Sequence, residues 1–541
     1  MGAMPSLTRR LCLTATVLAT VAGGGLAVAT LAGPASADQT PMQRGAGTTR
    51  HEVRHDTSPP LASLAPVRPG RGDGESDQIR HMPNRGGTGR DPVVQSTIGP
   101  AIPGTRANFD GVGQGFTGPA GTFAVHAIPP DTNAAVGTSQ IVEIVNTGFA
   151  VISKTGKALF GPAATNTLFA GFGGKCQTTD DGDGVVRYDA LANRWVITQF
   201  AGVGGSGPFL ECVAVSKTAD AMGAYNRYSF QYASFPDYPK LSVWPDSYYM
   251  TYNLFSADLG SFQGAEVCAM NRAAMLAGKT ATQQCHQTST SFGGLLAADF
   301  EGGTPPPAGE ANTILALGTT STRLAFWKFH ADWTNPANST FSGPSNLTVA
   351  AYTPACGASG TCVPQKGVSR TLDSLSDRLM FRLAYRNFGD HESLVTNHAV
   401  AANGVSGVRW YELRQTKGGN PKVFQQATFA PDKTFRWMGS IAMDKAGNIG
   451  LGYSASSSAI SPQVRYTGRR AADPAGQLSQ GEGTIVAGTG SQNGFSRWGD
   501  YSSMVVDPAD GCTFWYAQEY LTQTGTRNWH TRLASFALPG C

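Results

Sequence analysis

Four segments of this chain repeat one pattern: an apolar strand, a turn led by aspartate, and a second apolar strand. They are VVRYDALANRWVITQF from Val185, LSVWPDSYYMTYNLF from Leu241, SIAMDKAGNIGLGYS from Ser440 and SMVVDPADGCTFWYA from Ser503. Short strands with turn signals roughly every eight to twelve residues fill the stretches between them. A repeat of this kind, with four strands per unit, is typical of propeller blades. The sequence therefore predicts an all-β fold, a single β-propeller of about seven four-stranded blades.

The aspartates that lead these turns, Asp189, Asp246, Asp444 and Asp507, stand at equivalent positions of the repeat. An aspartate in such a place accepts backbone N–H groups of its own tight turn, which is a structural role. We therefore assign these four residues to the fold rather than to chemistry.

The last unit of the repeat is one strand short, because the chain reaches Cys541 soon after TRLASFAL. A ring of blades closes well when one blade combines strands from both ends of the chain. We therefore expect part of residues 92–123 to complete the last blade. The rival architectures are a pair of two-sheet sandwiches and two smaller domains, and the regular spacing disfavours both.

The N-terminal region divides into two parts before the repeats begin. Residues 1–37 combine Arg9 and Arg10, an apolar stretch and an Ala-Ser-Ala exit, which predicts an export signal and a secreted protein. Both the general and the twin-arginine export routes stay open. Residues 38–115 are rich in proline, glycine and charge and have no apolar periodicity, so we expect a disordered tail. The propeller domain is then residues 116–541.

Eight cysteines remain once Cys12 has left with the signal, and an even number in an exported chain predicts four disulfides. No C-x2-C pair occurs, which disfavours a zinc site. Proximity along the chain and within the predicted blades suggests the pairs Cys176–Cys212, Cys268–Cys285, Cys356–Cys362 and Cys512–Cys541.

The formal net charge of +4 is spread along the chain and gives no reason to expect nucleic acid or an anionic membrane as a partner. We expect a monomer without a membrane span after signal cleavage, whose partner is an extracellular polysaccharide or a cell-surface component.

The loops that lead into the inner strands of a propeller open on one face beside its axis, and we call this predicted site the cup. Carboxylates that converge there can act as an acid/base pair on a glycosidic bond, while aromatic rings stack on sugars. The predicted catalytic residues are Asp131, Asp237, Asp377 and Asp500. The predicted binding residues are Asp183, Lys240, Arg436, Trp437, Arg497, Trp498 and Tyr501. The leading hypothesis is a glycan-binding protein, and a glycoside hydrolase if it is an enzyme. A non-enzymatic cell-surface or protein-interaction module stays open, as does a purely structural role for these loops.

Other motifs add little chemistry. The oxygen-rich turn around Asp181 and Asp183 suits calcium, although no EF-hand glutamate follows it. His391 and His398 lie seven residues apart on a predicted strand and face opposite ways, so they cannot bind one metal together. No G-x-S-x-G elbow, H-E-x-x-H pair or P-loop occurs in the sequence. We expect no cofactor other than calcium.

Several blocks resemble a family of exported bacterial β-propeller proteins: PPDTNAAVG from Pro129, YPKLSVWPDSYY from Tyr238, YRNFGDHESLVTNH from Tyr385 and RWGDYSSMVVDPADGCTFWYAQEY from Arg497. The resemblance covers most of residues 120–540 and implies an exported propeller, but it brings no activity with it. DPADGCTFW is loosely similar to the Asp-box of sialidase-type propellers, from which it departs in spacing. Fold alone does not assign function.

Overall fold

The computed structural model describes residues 43–45, 47–70, 80–83, 86–87, 89–203 and 207–541, which form a nearly all-β structure. The predicted export signal lies outside the described residues. The helical elements of the described chain are short: α1 (Lys175–Thr178), α2 (Arg272–Leu276) and 3-10 turns at Leu61–Ser63, Thr165–Phe169, Pro336–Asn338 and Gly357–Ser359. No helix within these ranges is long and apolar enough to cross a membrane.

Six strands precede the repeats within the part of the chain that the structure describes. They are β1 (Gln43–Arg44), β2 (Thr48–Thr57), β3 (Val94–Gln95), β4 (Ala107–Asp110), β5 (Thr117–Gly118) and β6 (Gly121–Thr122).

The rest of the described chain is built mainly of four-stranded antiparallel units, which we call sheets and number in chain order. Two pairs of these units are continuous with each other: β2 joins sheets 2 and 3 into nine strands, and a parallel pairing of the first strands of sheets 4 and 5 joins them into a ten-stranded sheet. Sheet 1 has β7 (Asn133–Val136), β8 (Gln140–Val145), β9 (Gly148–Ser153) and β10 (Ala158–Ala163). Sheet 2 has β11 (Val185–Asp189), β12 (Arg194–Ala201), β13 (Phe209–Ser216) and β14 (Tyr225–Tyr232). Sheet 3 has β15 (Phe235–Val243), β16 (Ser247–Phe255), β17 (Phe262–Asn271) and β18 (Thr282–Gln287). Sheet 4 has β19 (Leu296–Phe300), β20 (Asn312–Leu317), β21 (Arg323–His330) and β22 (Thr340–Thr348).

A separate hairpin and three further sheets follow. The hairpin is β23 (Thr361–Gln365) with β24 (Val368–Asp373). Sheet 5 has β25 (Met380–Asn387), β26 (Glu392–Ala402), β27 (Val405–Gln415) and β28 (Lys422–Phe429). Sheet 6 has β29 (Phe435–Met443), β30 (Ile449–Ser457), β31 (Ile460–Arg469) and β32 (Glu482–Val486). Sheet 7 has β33 (Ser503–Val506), β34 (Phe514–Leu521) and β35 (Trp529–Phe536), with β4 as its fourth strand.

The sheets pack on one another in a propeller-like arrangement. The first strand of each sheet contacts the first strand of the next, and β33 contacts β7. Strands such as β8 and β16 are buried over their whole length, as expected where both faces of a sheet are covered. This packing puts the residues that precede the first strands close together.

The strand β4 reaches sheet 7 from the N-terminal side of the repeats. It pairs antiparallel with β35, with Asp110 opposite Arg532 and Ala107 opposite Ser535. Just after it, Val112 N donates to the Glu143 carboxylate of sheet 1 at 2.6 Å, and burial raises the pKa of Glu143 to about 7. The chain that precedes the repeats is thus tied to both sheet 7 and sheet 1.

The expectation of a disordered tail over 38–115 does not hold for the described residues of that segment. The ten-residue strand β2 pairs with β14 on one side and with β18 on the other, so it joins sheets 2 and 3. Asp56 accepts two hydrogen bonds from Arg227, at 2.8 and 2.7 Å. The sequence of β2 has no apolar period because it is held by backbone pairing and ion pairs rather than by an apolar face.

The predicted disulfide pairing is confirmed. The structure contains Cys176–Cys212, Cys268–Cys285, Cys356–Cys362 and Cys512–Cys541. The first joins α1 to β13, and the second joins neighbouring strands of sheet 3.

Candidate functional site

A buried lysine lies at the centre of the predicted cup. Lys240 is 1% exposed, and its Nζ lies 3.0 Å from the centre of the Tyr238 ring and 3.3 Å from that of Tyr501. Burial lowers the pKa of Lys240 well below its usual value, and the nearby carboxylates of Asp183 and Asp500 oppose that effect. The arrangement is a buried amino group held between two aromatic faces, with carboxyl groups nearby.

Strained backbone supports this cluster. Asp131, Asp183, Tyr238, Leu375 and Met438 have φ between 41° and 58°, although none of them is a glycine. Asp131, Asp183 and Leu375 lie in loops before the first strand of a sheet. Tyr238 and Met438 lie within β15 and β29, where the pairing register of each strand shifts. A left-handed backbone persists outside glycine only where the surroundings enforce it, and such residues cluster at functional sites.

Asp131 joins the loops of sheets 1 and 7. Its Oδ1 accepts from Asp500 N at 2.6 Å and its Oδ2 accepts from Asn146 Nδ2 at 2.8 Å. Asn146 Oδ1 in turn accepts from Asp183 N at 2.8 Å. Tyr501 OH donates to the Asp183 carboxylate at 3.2 Å. These five residues form one continuous hydrogen-bonded chain beside Lys240.

Arg497 links two of the carboxylates. Its Nη2 donates to Asp500 Oδ1 at 2.8 Å, and its Nε lies 3.7 Å from Asp373 Oδ2. Burial raises the pKa of Asp373 well above its usual value, with Arg497 opposing the effect. Burial also raises the pKa of Glu519, whose carboxylate accepts from Gly499 N at 2.5 Å. Asp373 and Glu519 are therefore carboxyl groups that favour the protonated form.

The pKa of Asp377 is shifted in the opposite direction. Burial alone would raise its pKa, but Arg378 and hydrogen bonds from His81 and Met82 outweigh it and hold the pKa below the usual value. Arg378 Nε donates to Asp377 Oδ1 at 2.8 Å. Asp373 and Asp377 both line a cavity of about 40 Å³.

The remaining predicted catalytic residue, Asp237, binds the N-terminal segment of the chain. Its Oδ1 lies 2.9 Å from Arg80 Nη1. Burial raises the pKa of Asp237, and Arg80 opposes that effect.

The structure does not bring all of the predicted binding residues to this cluster. Arg436 is fully buried and pairs with Asp432 and Glu482, within and beside sheet 6. Trp437 and Trp498 are also fully buried and pack on each other, with ring centres 5.7 Å apart. All three side chains have protein partners, and their role in binding a ligand stays a prediction.

The predicted calcium ligands have protein partners. Asp181 Oδ2 accepts from Gly202 N at 2.6 Å and from Val203 N at 3.2 Å, while Asp183 contacts Tyr501 as described above. Across the described ranges, the three-residue group with ligand atoms close enough for one metal is Glu266, Cys268 and Cys285. Its two cysteines form a disulfide, so it offers no thiolate. Calcium at Asp181 and Asp183 stays a prediction.

Sequence reasoning missed four residues of the site: Arg80, Asn146, Arg378 and Glu519. Arg378 follows a predicted carboxylate directly, which was a usable signal. Glu519 lies in the middle of β34 and Arg80 in the segment predicted to be disordered, so their positions depend on packing. His391 lies beside exposed Asp390, whereas His398 is buried against Tyr411, and neither belongs to the cluster.

No protein-family model and no curated protein matches this chain. Membership of an exported bacterial family therefore stays a prediction. Among solved structures, an endo-arabinase from Bacteroides thetaiotaomicron VPI-5482 is 10% identical over 52% of this chain and 92% of its own, with a TM-score of 0.28.

Two further structures show similar values. A sialidase from Trypanosoma rangeli in complex with sialic acid is 12% identical over 64% of this chain and 52% of its own, with a TM-score of 0.30. The polysaccharide lyase Uly1 is 10% identical over 82% of this chain and all of its own, with a TM-score of 0.34.

Proposed function

We propose that the chain is an exported seven-bladed propeller that binds an extracellular glycan in the cup and hydrolyses it. The blade count is supported by the succession of contacts between first strands, from β7 through β33 and back to β7. Closure of the ring is supported by β4, which supplies the fourth strand of sheet 7. Four disulfides are consistent with an oxidising, extracellular location.

The observation that carries the proposed hydrolysis is the contrast between Asp373 and Asp377. They line one cavity, and their surroundings drive their pKa values in opposite directions. Two carboxyl groups whose environments separate their pKa values are suited to acid and base roles at the same pH.

The roles follow from these protonation states. Asp373, held protonated by burial, donates its proton to the leaving glycosidic oxygen as the bond breaks. Asp377, held ionised by Arg378, takes a proton from the attacking water, whose oxygen bonds to the anomeric carbon. One water is consumed. Asp373 then regains a proton from solvent, and Asp377 releases one to solvent. In this proposal Asp131, Asp183 and Asp500 position the surrounding loops, and Lys240 with Tyr501 contributes to binding.

The test is a comparison of variants on a panel of cell-wall and plant polysaccharides. We expect Asp373→Asn to abolish the release of reducing ends while the melting temperature changes little, because the buried carboxyl group is already neutral. Asp390→Asn, at a surface site 82% exposed, is the matched control. Retention of a glycan without new reducing ends would favour a binding module, and a wild-type protein that neither retains nor cleaves any glycan would overturn the proposal.

A second candidate, a protein-interaction module, is favoured by one specific observation. The cup already contains a piece of polypeptide, because His81 and Met82 line the same cavity as Asp373 and Asp377. A cavity of about 40 Å³ holds a few water molecules and no sugar ring, so a glycan would have to displace this segment.

A further inference from the structure

The side chain of Arg80 occupies a pocket of the cup that fits a guanidinium group. Its Nη1 lies 2.9 Å from Asp237 Oδ1, and its Cζ lies 5.5 Å from the ring centres of both Phe235 and Phe255. The Asp237 side chain is 9% exposed and that of Arg80 is 22% exposed. A carboxylate beside two aromatic rings suits the planar, weakly hydrated guanidinium better than the compact ammonium of lysine.

Residues of the cup also hydrogen-bond to the backbone of this segment, one as a donor and one as an acceptor. Arg378 Nη2 donates to the Arg80 carbonyl oxygen at 2.6 Å. Met82 N donates to Asp377 Oδ2 at 2.7 Å. Arg378 thus meets a backbone acceptor of this segment, and Asp377 meets a backbone donor.

The second side chain of the stretch is anchored as well. Met82 is 3% exposed and belongs to the apolar cluster that includes Phe235 and Phe255. Main-chain hydrogen bonds combined with pockets for alternate side chains are the general features of extended-peptide recognition.

We propose that the cup contains a peptide subsite for an arginine followed two residues later by an apolar residue, and that Arg80 and Met82 occupy it in cis. An arginine-bearing peptide segment of another protein binds there when the chain's own segment is displaced. This subsite requires Asp237, Asp377 and Arg378, but not proton transfer by Asp373, so it does not rest on the proposed hydrolysis.

The tethered segment competes with any such ligand. A tethered occupant acts at a millimolar effective concentration, so a free peptide of ordinary affinity binds the intact chain poorly. The subsite therefore has to be vacated before it can be measured.

The experiment uses the full chain carrying Arg80→Ala and Met82→Ala, and a fluorescent peptide with the sequence of residues 79–83, IRHMP. In anisotropy titrations we expect the double variant to bind this peptide at least about tenfold more tightly than the wild type does. A peptide with alanine in place of the arginine should bind at least about tenfold more weakly, and one with lysine should lie between. Arg90→Ala, at an exposed arginine of the same N-terminal region, is the control and should behave as the wild type.

Two further measurements keep the test decisive. Adding Asp237→Asn to the double variant should remove the preference for arginine over alanine, while adding Asp373→Asn should leave peptide binding unchanged even where it abolishes hydrolysis. If the double variant does not fold, the single Arg80→Gln variant replaces it and should show the same gain. Equal binding of the arginine and alanine peptides, or no gain over the wild type in a folded variant, would overturn the proposal.

Discussion

Two sets of aspartates lie at opposite ends of the first strand of each sheet, and the two sets contact different partners. The turn aspartates, at the ends of these strands, are Asp189, Asp246, Asp444 and Asp507. The cup aspartates, at the starts, are Asp131, Asp183, Asp237 and Asp500. Both sets are largely buried. The hydrogen-bond and ion-pair partners of the turn aspartates lie mostly nearby in the sequence, whereas those of the cup aspartates lie mostly far away.

Most turn aspartates hold their own turn. Asp444 accepts from Ala446 N and Asn448 N, both at 2.9 Å, and Asp189 Oδ1 accepts from Leu191 N at 3.1 Å. Asp189 also pairs with Arg272 at 2.7 Å, which links sheet 2 to sheet 3. Their main role is therefore structural, as the sequence predicts.

The cup aspartates depend on contacts between distant loops. Asp131 accepts a hydrogen bond from a residue 369 positions away, and Asp183 from one 318 positions away. Aspartate at one end of a strand thus stabilises a turn, whereas aspartate at the other end joins distant loops into a site. The difference lies in whether its partners are local.

The largest expected effect is at a turn aspartate. Asp189→Ala removes a fully buried carboxylate and leaves the Arg272 guanidinium and the Tyr248 hydroxyl without it. Loss of one partner of a buried pair costs about 3–5 kcal/mol. We expect a fall of that size in the free energy of unfolding in urea, with ligand binding at the cup retained. Asp390→Ala, at an exposed pair, should change stability by less than about 0.5 kcal/mol. An equally small loss of unfolding free energy in both variants would contradict a structural role for Asp189.

A smaller effect is expected at a cup aspartate. Both oxygens of Asp131 face donors, Asp500 N and Asn146 Nδ2, so the amide nitrogen of Asp131→Asn would meet one of them. A buried group left without its partner costs about 1–3 kcal/mol. We expect thermal melting to show that loss, which means that this variant mixes structural and chemical effects. A melting temperature equal to that of the wild type would show that the loop relaxes, and Asp131→Asn would then be a clean test of chemistry.

The smallest effect is expected at the exception within the turn set, Asp246. Its carboxylate accepts from the nearby Tyr249 hydroxyl at 3.0 Å, but it also reaches sheet 4, where it accepts from Ala331 N at 3.4 Å and lies 3.7 Å from His330 Nδ1. An amide oxygen at the same place can accept the bond from Ala331. We therefore expect Asp246→Asn to change stability by less than about 1 kcal/mol at neutral pH.

The pH dependence gives Asp246 a distinct signature. Burial raises its pKa to about 6, so the folded state binds the proton more tightly than the unfolded state does. Wild-type stability is therefore lost as pH rises from about 4 through about 6, and Asp246→Asn does not share that loss. The melting temperature of the variant relative to the wild type should rise between about pH 4 and about pH 7.5. A constant difference would mean that Asp246 does not titrate in this range.

The sequence predicts whatever depends on residues close together along the chain. The strand and turn repeat, the structural role of Asp444 and the pairing of Cys268 with Cys285 all follow from residue type and short spacing. The last repeat lacks one strand, which predicts that part of residues 92–123 pairs with it, and β4 lies in that range. Local hydrogen bonds and short loops leave few alternatives, so spacing alone is informative.

Only the tertiary structure decides which loops converge and how deeply each side chain is buried. The sequence did not separate Trp437, which fills the core, from an aromatic ring exposed to ligand. It did not place Arg80 against Asp237, 157 residues away, or β2 between sheets 2 and 3. Nor did it separate Asp373 from Asp377, two similar loop carboxylates, whose pKa values move in opposite directions. The physical reason is that desolvation and Coulomb interactions depend on distances in space, and the packing of the sheets sets those distances.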